Sequence, residues 1–141
     1  MKLAVFGLLA LISHGADAKF YESVTVSEVT SIYDADTFRG NIAGYPDIIG
    51  KHVSIRVKGI DAPEIRGKCA AEIKAARIAK QFTVDHLRSG SKIELKNTER
   101  GKYFRILADV FIDGRELSKL LIESGNAREY HGGTRGSWCD K

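Results

Sequence analysis

VSIRVKGIDAPE, residues 53–64, begins as an ordinary strand and ends as something a strand does not need. Val53, Ile55 and Val57 alternate with Ser54, Arg56 and Lys58, the two-residue period of a half-buried strand. Gly59 breaks the run, and Asp61 and Glu64 then arrive around Pro63. Two carboxylates planted beside an arginine at a strand end form either a solvated turn or a site for a cation and a phosphate.

Upstream, VTVSEVTSIY (Val24 to Tyr33) has β-branched strand composition, and DTFRGNI follows as a second strand after a tight DAD turn. AGYPDIIG, residues 43–50, reads as a loop, and Val53 to Ile60 as the third strand. Downstream, Ala70 to Leu87 has helical spacing, with Ala71, Ala75, Ile78, Ala79 and Phe82 as its apolar stripe. SKIELKNT alternates with Ile93 and Leu95 inward. YFRILADVFI, Tyr103 to Ile112, is the fifth strand, closed by Asp113-Gly114. A short helix with Leu117, Leu120 and Leu121 on one side stops at Gly125. The fold class is α+β and mainly β. Five strands, with one helix between strands three and four and a short one after strand five, make an OB-fold barrel.

The chain has 141 residues, 43% hydrophobic and 28% charged, which suits one small globular domain. Lys2, the apolar run Leu3 to Ile12 and the small-residue ADA at 16–18 predict a signal peptide at 1–18. That run is too short to span a bilayer. The expected mature domain is 19–141, exported to the periplasm or secreted, monomeric, and without a membrane anchor. Lys2 and Asp17 cancel, so the mature chain keeps the formal charge of +4. Such a protein is drawn to polyanions, whether nucleic acid, anionic lipid or glycan. Two cysteines in an exported chain predict a Cys69–Cys139 disulfide, and there is no CxxC pair for zinc or thiol exchange.

Asp36 shares a strand side with Phe38 and Ile42, and an unpartnered carboxylate there is costly. If Asp36 and Asp61 come within about 5 Å, they repel by roughly 3 kcal/mol at an effective dielectric of 20. A divalent ion removes that penalty, and an all-oxygen donor set favours Ca²⁺ or Mg²⁺ over zinc. His14, His52, His86 and His131 show no ligand spacing. Arg56 and Arg105 each stand opposite the apolar face of their strand. They are either solvated partners of nearby acids or a bidentate phosphate clamp.

In order and spacing, YDADTFRG, VSIRVKGIDAPE and GKYFRILADVFIDGRELSKLLIESGNA resemble the staphylococcal nuclease family. The resemblance implies an OB barrel and Ca²⁺-dependent phosphodiesterase activity on DNA and RNA, with the 5′-oxygen leaving to give 3′-phosphate ends. By position it implies Asp36, Asp61 and the Ala62 carbonyl as metal ligands, with Asp34 near the metal. It implies Glu64 as the base that activates water, and Arg56 and Arg105 as the phosphate arginines. Tyr103 and, more approximately, Tyr130 correspond to substrate-binding tyrosines. The chain departs from the pattern in lacking a C-terminal helix after Ala127 and in carrying Phe104 where glycine is common. Trp138 reads as a packing residue. A non-catalytic nucleic-acid-binding OB domain is the alternative, and a basic module for glycans or envelope is a third reading.

Overall fold

The computed structural model describes residues 21–140, so the signal-peptide assignment lies outside the described residues. Strand β1 (Val24–Ile32) pairs antiparallel with β2 (Thr37–Ile42), and β2 pairs with β3 (Val53–Val57). After α2 (Ala70–Ser89), β5 (Ile93–Arg100) returns to the other edge of β1 and pairs antiparallel with β6 (Ile106–Ile112). The parallel pairing of β3 with β6, Ile55 opposite Ile106, closes the sheet into the expected five-stranded barrel. Register shifts in the β1–β2 pairing at Val26/Glu28 and Val29/Ser31 supply the curvature that closure needs. Phe38, Ile55, Leu95 and Val110 fill the interior with no exposure beyond 1%.

Small elements refine the expected boundaries. A single helical turn, α1 (Asp47–Gly50), stands in the segment expected to be loop. The third strand stops at Val57, because Gly59 adopts φ 74°, and the chain resumes as the two-residue β4 (Ile60–Asp61). That kink turns the Asp61 backbone away from the barrel strands and toward the C-terminal tail. β7 (Arg115–Glu116) leads into α3 (Leu117–Glu123), whose Leu117 and Leu121 are fully buried. β8 (Arg128–Glu129) then pairs antiparallel with β4, placing Arg128 opposite Asp61.

Two expectations are corrected. The fifth strand begins at Ile106, not Tyr103. Residues Lys102–Phe104 form a 3₁₀ turn in which Tyr103 and Phe104 have φ of 57° and 59°. The left-handed region suits glycine, so a phenylalanine in this position carries a backbone cost of about 1–2 kcal/mol. On α2 the buried face is Glu72, Ala76, Ala79, Thr83 and Leu87, whereas Ile78 is 57% exposed and Ala71 is exposed. Close approach of the helix to the barrel selects small residues for that face. Thr83 belongs to it because its hydroxyl donates to the Ala35 carbonyl at 2.8 Å. A hydrophobicity count cannot see that bond.

Cys69 and Cys139 form the expected disulfide, with Cα atoms 6.0 Å apart and 70 residues between them in sequence. In the chain-entropy account, closing a loop of this length stabilises the fold by about 4 kcal/mol. Among the described residues no helix is long and apolar enough to cross a membrane.

Candidate active site

The DAD turn, the end of β3, the IDAPE segment and the C-terminal tail meet at one end of the barrel. Thr83 of α2 holds the turn by its Ala35 carbonyl, and the Asp36 carbonyl accepts the Val57 amide at 2.9 Å. Asp34, Asp36 and Asp61 are 7%, 3% and 4% exposed, three buried carboxylates in a small basic protein. Buried charge must be paired or it is lost to protonation.

Each acid meets this demand differently. Asp36 accepts from Arg56 Nη1 at 2.8 Å, and Arg56 Nη2 reaches 3.5 Å toward the carbonyl of Ile60, the neighbour of Asp61. Asp61 Oδ2 accepts from Trp138 Nε1 at 3.0 Å and from Arg128 Nη2 at 3.3 Å. Its other oxygen, Oδ1, lies 3.6 Å from Arg135 Nε. Glu64 is the exposed acid of the group, and Arg135 Nη1 donates to its Oε1 at 2.9 Å. Asp34 has no guanidinium, and its Oδ1 is buried without a hydrogen-bond partner. Burial, and then the Asp36 charge beside it, push the Asp34 carboxyl up to about 7.

The folded-state value of Asp34 lies above the ordinary carboxylate value near 4, so the favourable contribution is complete below pH 4 and is lost as pH rises to 7. Above pH 7 the ionised Asp34 costs the metal-free fold on the order of 4 kcal/mol. Asp34→Asn therefore raises the melting temperature of chelator-treated protein at pH 8 and leaves it nearly unchanged at pH 4. Equal effects at the two pH values would show that burial of the charge is not the cause.

The loop after Glu64 is organised from beneath by Glu72, a buried acid in the first turn of α2. Its carboxylate accepts from the Lys68 amide at 2.8 Å and the Glu64 amide at 3.3 Å. Glu72 also lies within 4.8 Å of both cysteine sulfurs. Those sulfurs are disulfide-bonded, so the trio is not a thiolate metal centre. Asp61, Ala62, Glu64, Arg135 and Trp138 line a cleft of about 280 Å³. Arg56 and Tyr130 line a wider neighbouring depression of about 680 Å³.

The structure thus gathers Asp34, Asp36, Arg56, Asp61, Ala62 and Glu64 at one end of the barrel. Tyr130 lies alongside, its phenol donating to the Gly133 carbonyl at 2.7 Å. Arg105 and Tyr103 stand apart. Among the described residues neither shares a hydrogen bond or ion pair with these acids, Arg105 Nε is buried without a partner, and Tyr103 is 96% exposed. Sequence reasoning missed Arg128, Arg135 and Glu72, and saw only packing in Trp138, whose indole N–H holds Asp61. The available signal was the disulfide, which ties the tail beside IDAPE and so brings the residues preceding Cys139 to the acids.

A family model described as staphylococcal nuclease homologue matches residues 54–137. No curated protein matches the chain.

Proposed function

The chain belongs to the staphylococcal nuclease family, and from that premise we propose that it is an exported Ca²⁺-dependent phosphodiesterase that hydrolyses DNA, RNA or both with little sequence specificity. The observation that carries this reading is the cluster itself: buried Asp36 and Asp61, each held by a guanidinium group, with the exposed Glu64, paired with Arg135, beside them. Export is supported by the disulfide, which persists in oxidising compartments.

The residues fit a hard cation. Their donors are all oxygen, and the orphaned Asp34 Oδ1 with its raised pKa marks a place where negative charge is under-compensated. Asp36, Asp61 and the Ala62 carbonyl would hold the ion. When bound, Ca²⁺ would offset the charge of the phosphate and polarise a water molecule.

The remaining chemistry falls to the side chains. Glu64 is exposed and lines the cleft, so it can take the proton of the attacking water. Arg56, held by Asp36 through Nη1 and near the Ile60 carbonyl through Nη2, is placed to bind the equatorial oxygens as charge builds on them. Arg105 shares that role only if its side chain turns toward Arg56 when substrate binds. In-line attack then expels the 5′-oxygen and leaves a 3′-phosphate. Lysines and arginines around the site bind the phosphate backbone, which carries no sequence information.

Purified protein should degrade single-stranded DNA in Ca²⁺ and stop in excess chelator. Binding without cleavage under every divalent ion supports instead a non-catalytic nucleic-acid-binding OB domain. That alternative draws on Asp61 being held by Arg128, Arg135 and Trp138.

A further inference from the structure

Among the described residues three guanidinium groups contact the acids of the cluster, Arg56, Arg128 and Arg135, and the last lines the cleft beside Glu64 and comes from the tail rather than from β6. We propose that Arg135 is a substrate-binding residue that takes a non-bridging oxygen of the scissile phosphodiester beside Arg56; this rests on the phosphodiesterase reading above.

The position of Arg135 is set before any ligand arrives. Arg128 donates to the Gly136 carbonyl at 2.8 Å and the Ser137 carbonyl at 3.0 Å, and its guanidinium lies 3.9 Å from the Trp138 ring centroid. Trp138 is bonded to Asp61, and Cys139 to Cys69. The backbone on the C-terminal side of Arg135 is therefore pinned over the cleft. The conformational entropy of presenting this arginine is lost on folding rather than on binding.

Its chemistry suits an anion. Arg135 Nη1 engages Glu64 and Nε faces Asp61, while the side chain keeps 41% of its surface exposed. Neither carboxylate contact uses Nη2, and a planar guanidinium can offer that remaining nitrogen to a phosphate oxygen. Seated there, the phosphorus lies next to Glu64, the residue positioned to deprotonate water. Among the described residues Arg105 makes no hydrogen bond or ion pair with these acids.

The test separates phosphate binding from a bond that merely holds the tail. In Glu64→Gln protein with Ca²⁺ present, a dye-labelled single-stranded oligothymidylate is titrated by fluorescence anisotropy across salt concentrations. Adding Arg135→Gln should weaken binding at least tenfold and reduce the slope of log affinity against log salt by about 1. Arg135→Lys should recover part of the affinity, since it keeps the charge and loses the fork. In otherwise unaltered enzyme, Arg135→Gln should lower kcat/KM about 100-fold with the melting temperature little changed. Unchanged affinity and salt slope, with only a lower melting temperature, would overturn the assignment and leave Arg135 a tail anchor. If the parent protein neither binds nor cuts the oligonucleotide, the phosphodiesterase reading falls and takes this one with it.

Discussion

Glu64→Gln is expected to lower the single-turnover cleavage rate about 1,000-fold while the melting temperature stays within a few degrees of wild type. The size follows from the usual worth of a positioned general base, 10² to 10⁴ in rate. The selectivity follows from where Glu64 sits. Its side chain is 55% exposed and contributes no core packing, so removal of its charge leaves the barrel intact. The amide oxygen of glutamine can still accept from Arg135 Nη1, which preserves the tail contact and removes only the proton acceptor. Cleavage in Ca²⁺ and thermal melts of the two proteins measure both halves. A variant that cuts at the wild-type rate shows that another group activates the water.

Arg56→Met is expected to damage stability and activity together. Its partner Asp36 has a side chain only 4% accessible, and Arg56 holds it at 2.8 Å. Removing one member of a buried pair leaves an uncompensated charge, which costs about 3–5 kcal/mol. Loss of the guanidinium from the phosphate should cost a further 10²- to 10³-fold in kcat. The double variant Arg56→Met with Asp36→Asn separates the two effects, since both charges are then gone. Denaturant unfolding should show most of the lost stability restored, while cleavage should stay absent, since the proposed metal ligand Asp36 has also been removed. Arg56→Met as stable as wild type would show that the Asp36–Arg56 pair does not hold the end of the barrel together.

The readable part of the site was local. DADTF and VSIRVKGIDAPE each place an acid where a strand turns, and strand period puts Arg56 on the face away from the core, so these residues announced themselves within a dozen positions. YFRILADVFI misled at its start for an equally local reason. Alternation continues formally back to Tyr103, but the chain turns at Tyr103 and Phe104 with positive φ, a conformation that side-chain pattern does not encode. The apolar stripe on α2 misled because the face that packs is chosen by fit, and Ala76, Ala79 and Thr83 fit the barrel more closely than Ile78 does.

By itself the sequence determined the order of strands and helices, the closed barrel, the pairing of its two cysteines, and the candidate acids Asp36, Asp61 and Glu64 with Arg56. Strand alternation, glycine turns and the cost of buried charge all act over short separations. Only the tertiary structure decided that Asp61 rests on Trp138 and Arg128 and that Glu64 rests on Arg135, contacts spanning 77, 67 and 71 residues. Such contacts leave no periodic trace along the chain. They exist because the β4–β8 pairing and the Cys69–Cys139 bond bring a tail of otherwise unremarked residues over the acids, where electrostatic attraction selects the arginines.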